Sequence, residues 1–209
     1  MGPATLDSGQ VLRCVSESLR ALIRAHIPEF ENESAVVFDS PAEIDSQGAT
    51  MLSLYLYNIE INPYLRNLPP TLTRTQGAGG PHALAVTAPP LVSDLLYMMV
   101  PYARSAELEL VLVDKLVRLF HDVPALTGAW LHPQLKASGN ESIAIVPDAS
   151  PIITLHNIWS GFPNKPYKLT KLYTLSPVRI ASALQPSAEM VGESELSAAR
   201  RAVTAAGQA

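Results

Sequence analysis

The side chains best suited to chemistry do not stand at spacings that predict a reaction centre. The five histidines are His26, His82, His121, His132 and His156. No two of them are four residues apart, as two zinc ligands on one face of a helix would be. Cys14 is the only cysteine, so no second thiol can join it in a metal site or an internal disulfide. Since free cysteines are often packed in cores, we interpret Cys14 as a buried structural thiol and predict no metal site.

Sequence motifs for nucleophilic catalysis and phosphate binding are also missing. There is no G-x-S-x-G elbow, and no Gly-Lys-Ser/Thr follows the glycine-rich run at 77–80. Asp94 stands alone on an apolar strand, where it is either a functional acid or a carboxylate satisfied by an arginine or by backbone donors. A Ser/His/Asp triad assembled in space stays open, which leaves a small hydrolase as the enzymatic alternative. The sequence favours a binding or structural protein that is not an enzyme, with no catalytic residues and no cofactor.

Length and composition limit the remaining classes. The 209 residues fit one domain with a tail, and 47% hydrophobic against 16% charged residues allow a substantial core. A net charge of −4 disfavours a nucleic-acid partner, because phosphate binding needs a concentrated basic surface. No apolar run reaches the ~18 residues of a membrane span, and the start MGPATLDSGQ has no secretory signal pattern. We therefore expect no nucleic acid, no membrane and assembly in the cytoplasm.

Helices are predicted where apolar residues recur at helical spacing behind a capping signal. A capping-box pattern at 7–10 precedes the first helix, and Ser105 can cap the second. Proline is favoured at the first helical position, so Ser150-Pro151 predicts the start of a third. The helices are expected over about 9–26, from Ser105 to Val123 and from Ser150 to Gly161, with irregular structure at 125–141.

Strands are predicted from β-prone runs. The segment 51–61 alternates leucines with tyrosines and isoleucines, so both of its faces are apolar and we expect a central strand covered on two sides. Pro177 cannot donate to a ladder, which places the end of the last strand at a sheet edge. Residues 68–90 have a composition typical of a mobile loop. The strands are expected at 35–38, 51–61, 91–100, 143–146 and 167–180.

The order of these elements indicates an α+β fold with a mixed, largely antiparallel sheet flanked by helices. Segments 51–61 and 91–100 follow each other without an intervening helix, which favours antiparallel pairing. We expect one domain at 1–182. Residues 183–209 are rich in Ala, Ser and Glu and are expected to form a mobile tail.

Four stretches together carry a resemblance to a known family. They are VSESLRALIRAHIPE, LSLYLYNIEINPYLRN, PPLVSDLLYMMVPYA followed by ELEL, and PYKLTKLYTL running into PVRI. In their order and spacing, over about 10–182, they resemble the cap, or tail-terminator, proteins of extracellular contractile injection systems. These systems are phage-tail-like particles of the antifeeding-prophage type, so the expected fold is phage tail-terminator-like.

The resemblance implies a structural role. Proteins of this family are expected to form a sixfold homo-oligomeric ring that closes the inner tube and the contractile sheath at the end distal to the baseplate. The ring stops polymerisation and fixes particle length together with a tape-measure protein. The implied partners are the sheath and tube proteins of a particle that is released from the cell or docked in it. Another tail-assembly factor, for tail completion or as a baseplate adaptor, is the alternative.

A polar corner after the strand at 51–61 is the candidate contact site. It consists of Asn62, Pro63, Tyr64, Leu65, Arg66 and Asn67. Pro63 ends the strand, while Tyr64 and Arg66 are of types enriched at interface hot spots. We expect this corner to brace a neighbouring subunit or a terminal ring. The alternative is an internal turn, with Tyr64 and Leu65 packed on their own core and Arg66 paired to Asp94 or Glu60. A second hypothesis places strand addition at the edge of 167–180.

Overall fold

A computed structural model describes residues 8–45, 48–75, 83–149, 152–184 and 187–189. The chain divides into two compact units, the first comprising Met1–Asn67 and Pro90–Ala181 and the second Leu68–Pro89 and Ser182–Ala209. The helices are α1 (Val11–His26), α2 (Ala106–Asp122), α3 (Pro133–Ala137) and α4 (Ile152–Ser160). The strands are β1 (Val36–Val37), β2 (Met51–Ile61), β3 (Thr71–Thr75), β4 (Ala83–Thr87), β5 (Leu91–Tyr102), β6 (Ala125–Thr127), β7 (Ser142–Pro147), β8 (Lys171–Ile180) and β9 (Ser187–Glu189).

The first unit is built on a six-stranded sheet with the order β1-β2-β5-β8-β7-β6. β1 runs parallel to β2, and the other neighbouring pairs are antiparallel. The predicted antiparallel pairing of 51–61 with 91–100 is confirmed, with Leu54 opposite Met99. The predicted α+β class with a mixed, largely antiparallel sheet flanked by helices is therefore confirmed.

The sheet carries apolar packing on both faces, as the pattern of β2 predicted. Leu52 and Leu54 are fully buried in a core that side chains of α1, α2 and α3 complete. Tyr55 and Tyr57 pack against a second cluster, which contains Trp159 of α4. The alternation of side chains therefore assigned both faces of β2 correctly as far as Tyr57, whereas Ile59 and Ile61, expected on a covered face, are exposed.

The helix starts differ in how far the sequence predicted them. Ser105 caps α2 as expected, since its hydroxyl accepts a hydrogen bond from the Leu108 N–H at 3.3 Å. α1 instead follows a 3-10 turn, and Gln10 at its N-cap position makes no side-chain capping bond. Asp7 of the predicted capping box lies outside the described residues, as do Ser150 and Pro151 at the predicted start of α4.

The segment 125–141 contains regular structure where irregular structure was expected. β6 pairs with β7, and α3 begins with Pro133 at its first position. The N-cap of α3 is His132, a residue that the rules for capping do not favour. Its ring replaces the usual hydroxyl or carboxylate, because Nδ1 accepts a hydrogen bond from the Gln134 N–H at 3.3 Å.

β8 lies between β5 and β7, but its pairing with β7 stops at Ser176. From Pro177 onward the strand pairs with β5 alone, so the prediction of an edge holds for this end and not for 171–176. The strand also begins at Lys171 rather than at Tyr167. Pro177 is tolerated because it follows Ser176, the last residue of β8 that pairs with β7, and lies where the pairing with β5 is irregular. Beyond it the Asn140 side chain takes the place of a strand. Its amide donates to the Arg179 carbonyl at 2.9 Å and accepts from the Arg179 N–H at 2.8 Å.

The segment 68–90 contains two strands, so the prediction of a loop is wrong there. β3 and β4 pair antiparallel with Thr71 opposite Thr87, and β9 adds to β4 to form the sheet of the second unit. Threonine and valine favour strands, but the glycines at the centre of the segment dominated its composition. β9 falls in 183–209, where only a tail was expected, and residues 190–209 lie outside the described part. The domain at 1–182 with a tail at 183–209 stays a prediction.

Candidate assembly interface

The corner begins where β2 leaves the sheet. The Asn62 N–H still donates to the Val92 carbonyl at 3.0 Å, in register with β5. Its side-chain oxygen then accepts from the N–H groups of Tyr64 and Leu65, at 3.1 Å each. An asparagine that binds backbone donors two and three residues ahead closes a local turn. Asn62 and Pro63 together therefore fix the direction of the corner.

Hydrogen bonds from Asn62 connect the corner to β5 in the middle of the sheet. The Asn62 Nδ2 donates to both carboxylate oxygens of Asp94 on β5, at 3.1 and 3.2 Å. The Ser176 hydroxyl of β8 donates to the same carboxylate. Asp94 sits at a register shift between Ser93 and Leu95, which turns its side chain toward these partners. Among the described residues its partners are an amide and a hydroxyl, rather than the arginine or backbone donors that the sequence suggested.

The outer residues of the corner face solvent. Tyr64 is 93% exposed, so the alternative in which it packs back on its own core is wrong. Pro63, Arg66 and Asn67 are exposed as well, and Leu65 is half-buried. Within the described residues Arg66 forms no ion pair, because Asp94 is bound by Asn62 and the Glu60 carboxylate accepts from the Asn58 amide. The corner thus presents an aromatic ring and a guanidinium to solvent.

Exposed apolar side chains adjoin the corner at the end of β2 and at the start of β5. Ile59 and Ile61 of β2 are 46% and 50% exposed, and Leu91 of β5 is 44% exposed. The pairing of Ile61 with Ser93 places Leu91 beside this end of β2. We call the corner together with Ile59, Ile61 and Leu91 the corner patch. Contiguous exposed apolar groups on a folded domain are typical of a contact surface.

The outer edge of β2 next to this patch is open. β1 pairs only with Leu52 and Ser53, so in the described part of the chain no strand covers the remaining length of β2 on that side. The Asn58 side-chain oxygen accepts from the Ile59 N–H at 2.9 Å, which covers one donor of the edge. An open edge offers backbone donors and acceptors to an added strand. Within the segment 167–180, residues 171–176 lie between β5 and β7, so the edge proposed for strand addition is that of β2.

The residues considered for catalysis do not form a hydrolytic arrangement in the described part of the chain. No serine hydroxyl there is hydrogen-bonded to a histidine ring; the Ser18 hydroxyl instead accepts from the backbone N–H of His132 at 3.1 Å. Cys14 is buried, as predicted, and its thiol donates to the Gln134 side-chain oxygen at 2.9 Å. Folding brings Cys14 close to Glu17 and His132, which the histidine spacing along the chain did not reveal. His82 lies outside the described residues.

Two further findings concern membrane-spanning helices and the pKa of the buried Tyr97. Among the helices described, none has the length and apolar character required to span a bilayer. Burial raises the pKa of Tyr97 to about 12, while the Ser16 hydroxyl, 2.7 Å from the phenol oxygen, partly offsets this shift. Tyr97 is thus a neutral, hydrogen-bonded core residue at neutral pH.

Two solved structures resemble the fold of this chain. The chain is similar to the sheath/tube terminator of an extracellular contractile injection system, PVC, in its extended state, with a TM-score of 0.56 and 17% identity over 96% of this chain and 73% of that one. It is also similar to the tube-terminating cap of the anti-feeding prophage, with a TM-score of 0.59 and 16% identity over 86% of this chain. The chain spans 58% of the length of that cap. A search of curated proteins finds no match.

These likenesses confirm the tail-terminator-like fold that the sequence motifs indicated. The family model described as the Pvc16 N-terminal domain matches residues 14–193. That range includes β2, the corner and Asp94, as well as every buried residue of the two core clusters except Val11. The chain belongs to the Pvc16 N-terminal domain family.

Proposed function

We propose that the chain is a cap protein that terminates the tube and sheath of a phage-tail-like contractile injection system. The observation that carries this proposal is the family match over 14–193, together with a terminator-like fold over nearly the whole chain. The proposed action is geometric. One surface of the cap fits the last ring of the particle, and the other surface offers no site to a further ring. No bond is made or broken, and no cofactor is needed.

The corner patch is the proposed contact surface. Tyr64 contributes a large amphipathic ring, and Arg66 contributes a forked donor that forms no ion pair with the residues the structure describes. Ile59, Ile61 and Leu91 contribute apolar area. Tyrosine and arginine are among the residue types that dominate binding energy at protein interfaces, and apolar area is typical of the interface core. Asn62 and Asp94 hold the surface in place before contact, which lowers the entropy lost on binding.

The proposed assembly is a ring of identical subunits, with sixfold symmetry. Each contact in such a ring needs about 1,000 Å² or more of buried surface to be stable. The open edge of β2 is the proposed place for strand addition from a neighbouring subunit or from the sheath. We further propose that the cap fixes particle length together with a tape-measure protein, and that it joins the particle in the cytoplasm.

Electron microscopy of particles that carry altered caps tests the contact surface. We expect Tyr64→Ala combined with Arg66→Ala to reduce the fraction of capped particles strongly, because the central anchors of the interface are removed. Arg104→Ala, at another exposed arginine, is the matched control and should leave capping unchanged. Both variants should keep the unfolding midpoint of the parent, since all three side chains are exposed. Normal capping by the double variant would exclude the corner patch as the contact surface.

A further inference from the structure

We propose that Cys14, Glu17 and His132 form a binding site for a thiophilic divalent cation such as Zn²⁺, with a structural role at the packing of α1 against α3. One ligand atom of each residue lies within 4.8 Å of the others. Thiolate, carboxylate and imidazole are the ligands that zinc takes in proteins. This site is separate from the corner patch, so it does not depend on the proposed cap function.

The backbone places the three donors on one side of α1. Cys14 and Glu17 are three residues apart on the helix, so they share a face. His132 reaches that face because its N–H donates to the Ser18 hydroxyl at 3.1 Å and its carbonyl accepts from the Leu135 N–H at 2.9 Å. The backbone around the histidine is therefore fixed before any cation binds, which reduces the ordering cost of the site.

The separations leave room for a cation after small side-chain movements. Tetrahedral zinc, with bonds of about 2.0 to 2.3 Å, needs ligand atoms about 3.3 to 3.8 Å apart. Glu17 and His132 are half-buried and line a cleft of about 480 Å³, whereas Cys14 is buried and does not line it. The cation would therefore be held between the thiol and the wall of the cleft. The hydrogen bond from the Gln134 N–H to His132 Nδ1 is 3.3 Å long and is the bond given up if that nitrogen binds the cation. The cleft also admits a water molecule as the fourth ligand.

The surrounding groups set the charge balance. A thiolate and a carboxylate carry two negative charges, which neutralise one divalent cation. Arg13 pairs with Glu17 through Oε1, which leaves the second carboxylate oxygen for a ligand bond. Arg20 and Arg24 line the same cleft, but Arg20 stacks on Phe38 and Arg24 donates to the Glu31 carbonyl, so both are engaged elsewhere. The Cys14 thiol donates to the Gln134 side-chain oxygen at 2.9 Å, and this bond is given up when the thiol loses its proton to bind a cation. A turn of the Gln134 amide would then present its NH₂ group to the thiolate as the outer donor.

Titration of the full-length, reduced protein with ZnCl₂ and with CoCl₂ tests the site. We expect one Zn²⁺ per chain, a higher unfolding temperature with Zn²⁺, and a sulfur-to-cobalt absorption band with Co²⁺. His132→Gln, at the cleft wall, should weaken binding by more than the ~10–100-fold that loss of an outer partner costs. Cys14→Ser should abolish the cobalt band. His156→Gln, on the exposed side of α4, is the matched control and should bind as the parent does.

Two results would overturn the site. One is the lack of stoichiometric zinc binding by the folded, reduced protein. The other is equal binding by the parent, His132→Gln and Cys14→Ser, which would place the cation elsewhere on the chain. Circular dichroism of each variant separates a lost site from a lost fold. Glu17→Gln, which changes neither the thiol nor the ring, supplies a third test should Cys14→Ser fail to fold.

Discussion

The side-chain amide of Asn62 lies 3.1 and 3.2 Å from the two carboxylate oxygens of Asp94, and this contact joins the corner to the middle of the sheet. The same asparagine closes the turn through the N–H groups of Tyr64 and Leu65. One residue therefore sets both the local shape of the corner and its position on β5. An exposed ring such as that of Tyr64 can act as a preorganised contact because its backbone is held from below.

Replacing Asn62 by alanine should loosen the corner without disturbing the sheet. The change removes the bonds to Asp94 and the turn bonds, so we expect a loss of about 1–2 kcal/mol in the free energy of unfolding. Urea unfolding measures this loss, and hydrogen exchange at the Tyr64 and Leu65 amides should accelerate. Asn67→Ala makes the same chemical change at an exposed site and should stay within ~0.5 kcal/mol of the parent. Equal effects of the two changes would contradict a clamping role for Asn62.

The free energy of unfolding should fall in acid, because protonation of Glu29 breaks its ion pair with Lys115. The hydrogen bond from Lys115 of α2 lowers the pKa of the Glu29 carboxyl below its ordinary value of 4.5, and a backbone hydrogen bond adds to this. A depressed pKa gives stability that is present above about pH 4.5 and is lost as the pH falls through the folded-state pKa. The parent should therefore exceed Glu29→Gln in stability at pH 7 by up to about 1 kcal/mol, because the pair is partly exposed.

That difference should shrink below pH 4.5, as measured by urea unfolding between pH 7 and pH 3. Glu33→Gln, at an exposed position in the same region, is the control and should give little difference at either pH. A gap between parent and Glu29→Gln that is constant across this range would argue against the ion pair as its source.

Alkaline titration should separate the buried tyrosines from the rest. Burial raises the pKa of Tyr57, Tyr97 and Tyr102 to about 12, with the Asp148 charge contributing at Tyr57 and the Glu109 charge at Tyr102. A raised pKa means that the neutral phenol is favoured by folding, so stability falls as the pH rises from about 10 toward 12. Absorbance of the phenolate should show three of the seven tyrosines ionising near pH 12 in the folded protein, and a fourth, Tyr173, above pH 10 because burial raises its pKa. In denaturant all seven should ionise near pH 10. Seven equivalent tyrosines in the native state would refute the packing assigned to these rings.

Removal of residues 183–209 should leave the six-stranded sheet folded. None of its strands lies in that range, whereas β9 of the second unit does. The β3–β4 hairpin then has two strands, an arrangement that is marginal by itself in water. Hydrogen exchange should show unchanged protection in β5 and β8 and faster exchange in β3 and β4. Loss of folded, dispersed protein after this truncation would contradict the proposed independence of the domain at 1–182.

The sequence predicted the parts of this fold that depend on local periodicity. The two apolar faces of β2 followed from the alternation of leucine and tyrosine, and the cap of α2 followed from Ser105. Pro177 correctly indicated an edge at the end of β8, because the pairing with β7 stops at Ser176, but it gave no sign that residues 171–176 lie between β5 and β7. The extent of a neighbouring strand is a tertiary property that no single segment encodes.

In the candidate sites, too, the sequence predicted the local features and missed the contacts between distant segments. The sequence singled out Asn62, Tyr64 and Arg66 as a corner, because Pro63 interrupts a strong strand pattern. It gave no sign that Asn62 reaches Asp94, 32 residues away, or that Cys14 and His132 meet across 118 residues, counting from 14 to 132. Such contacts arise from strand order and helix packing, so residue spacing along the chain does not report them.

Localisation of this protein on assembled particles tests the proposed cap function most directly. The chain, carrying a gold-binding tag, would be produced with the tube and sheath proteins of a contractile particle and imaged by electron microscopy. The account predicts label at one end of each particle, opposite the baseplate, and open or overgrown tubes when the protein is left out. Label at the baseplate, along the sheath or nowhere on the particles would contradict it.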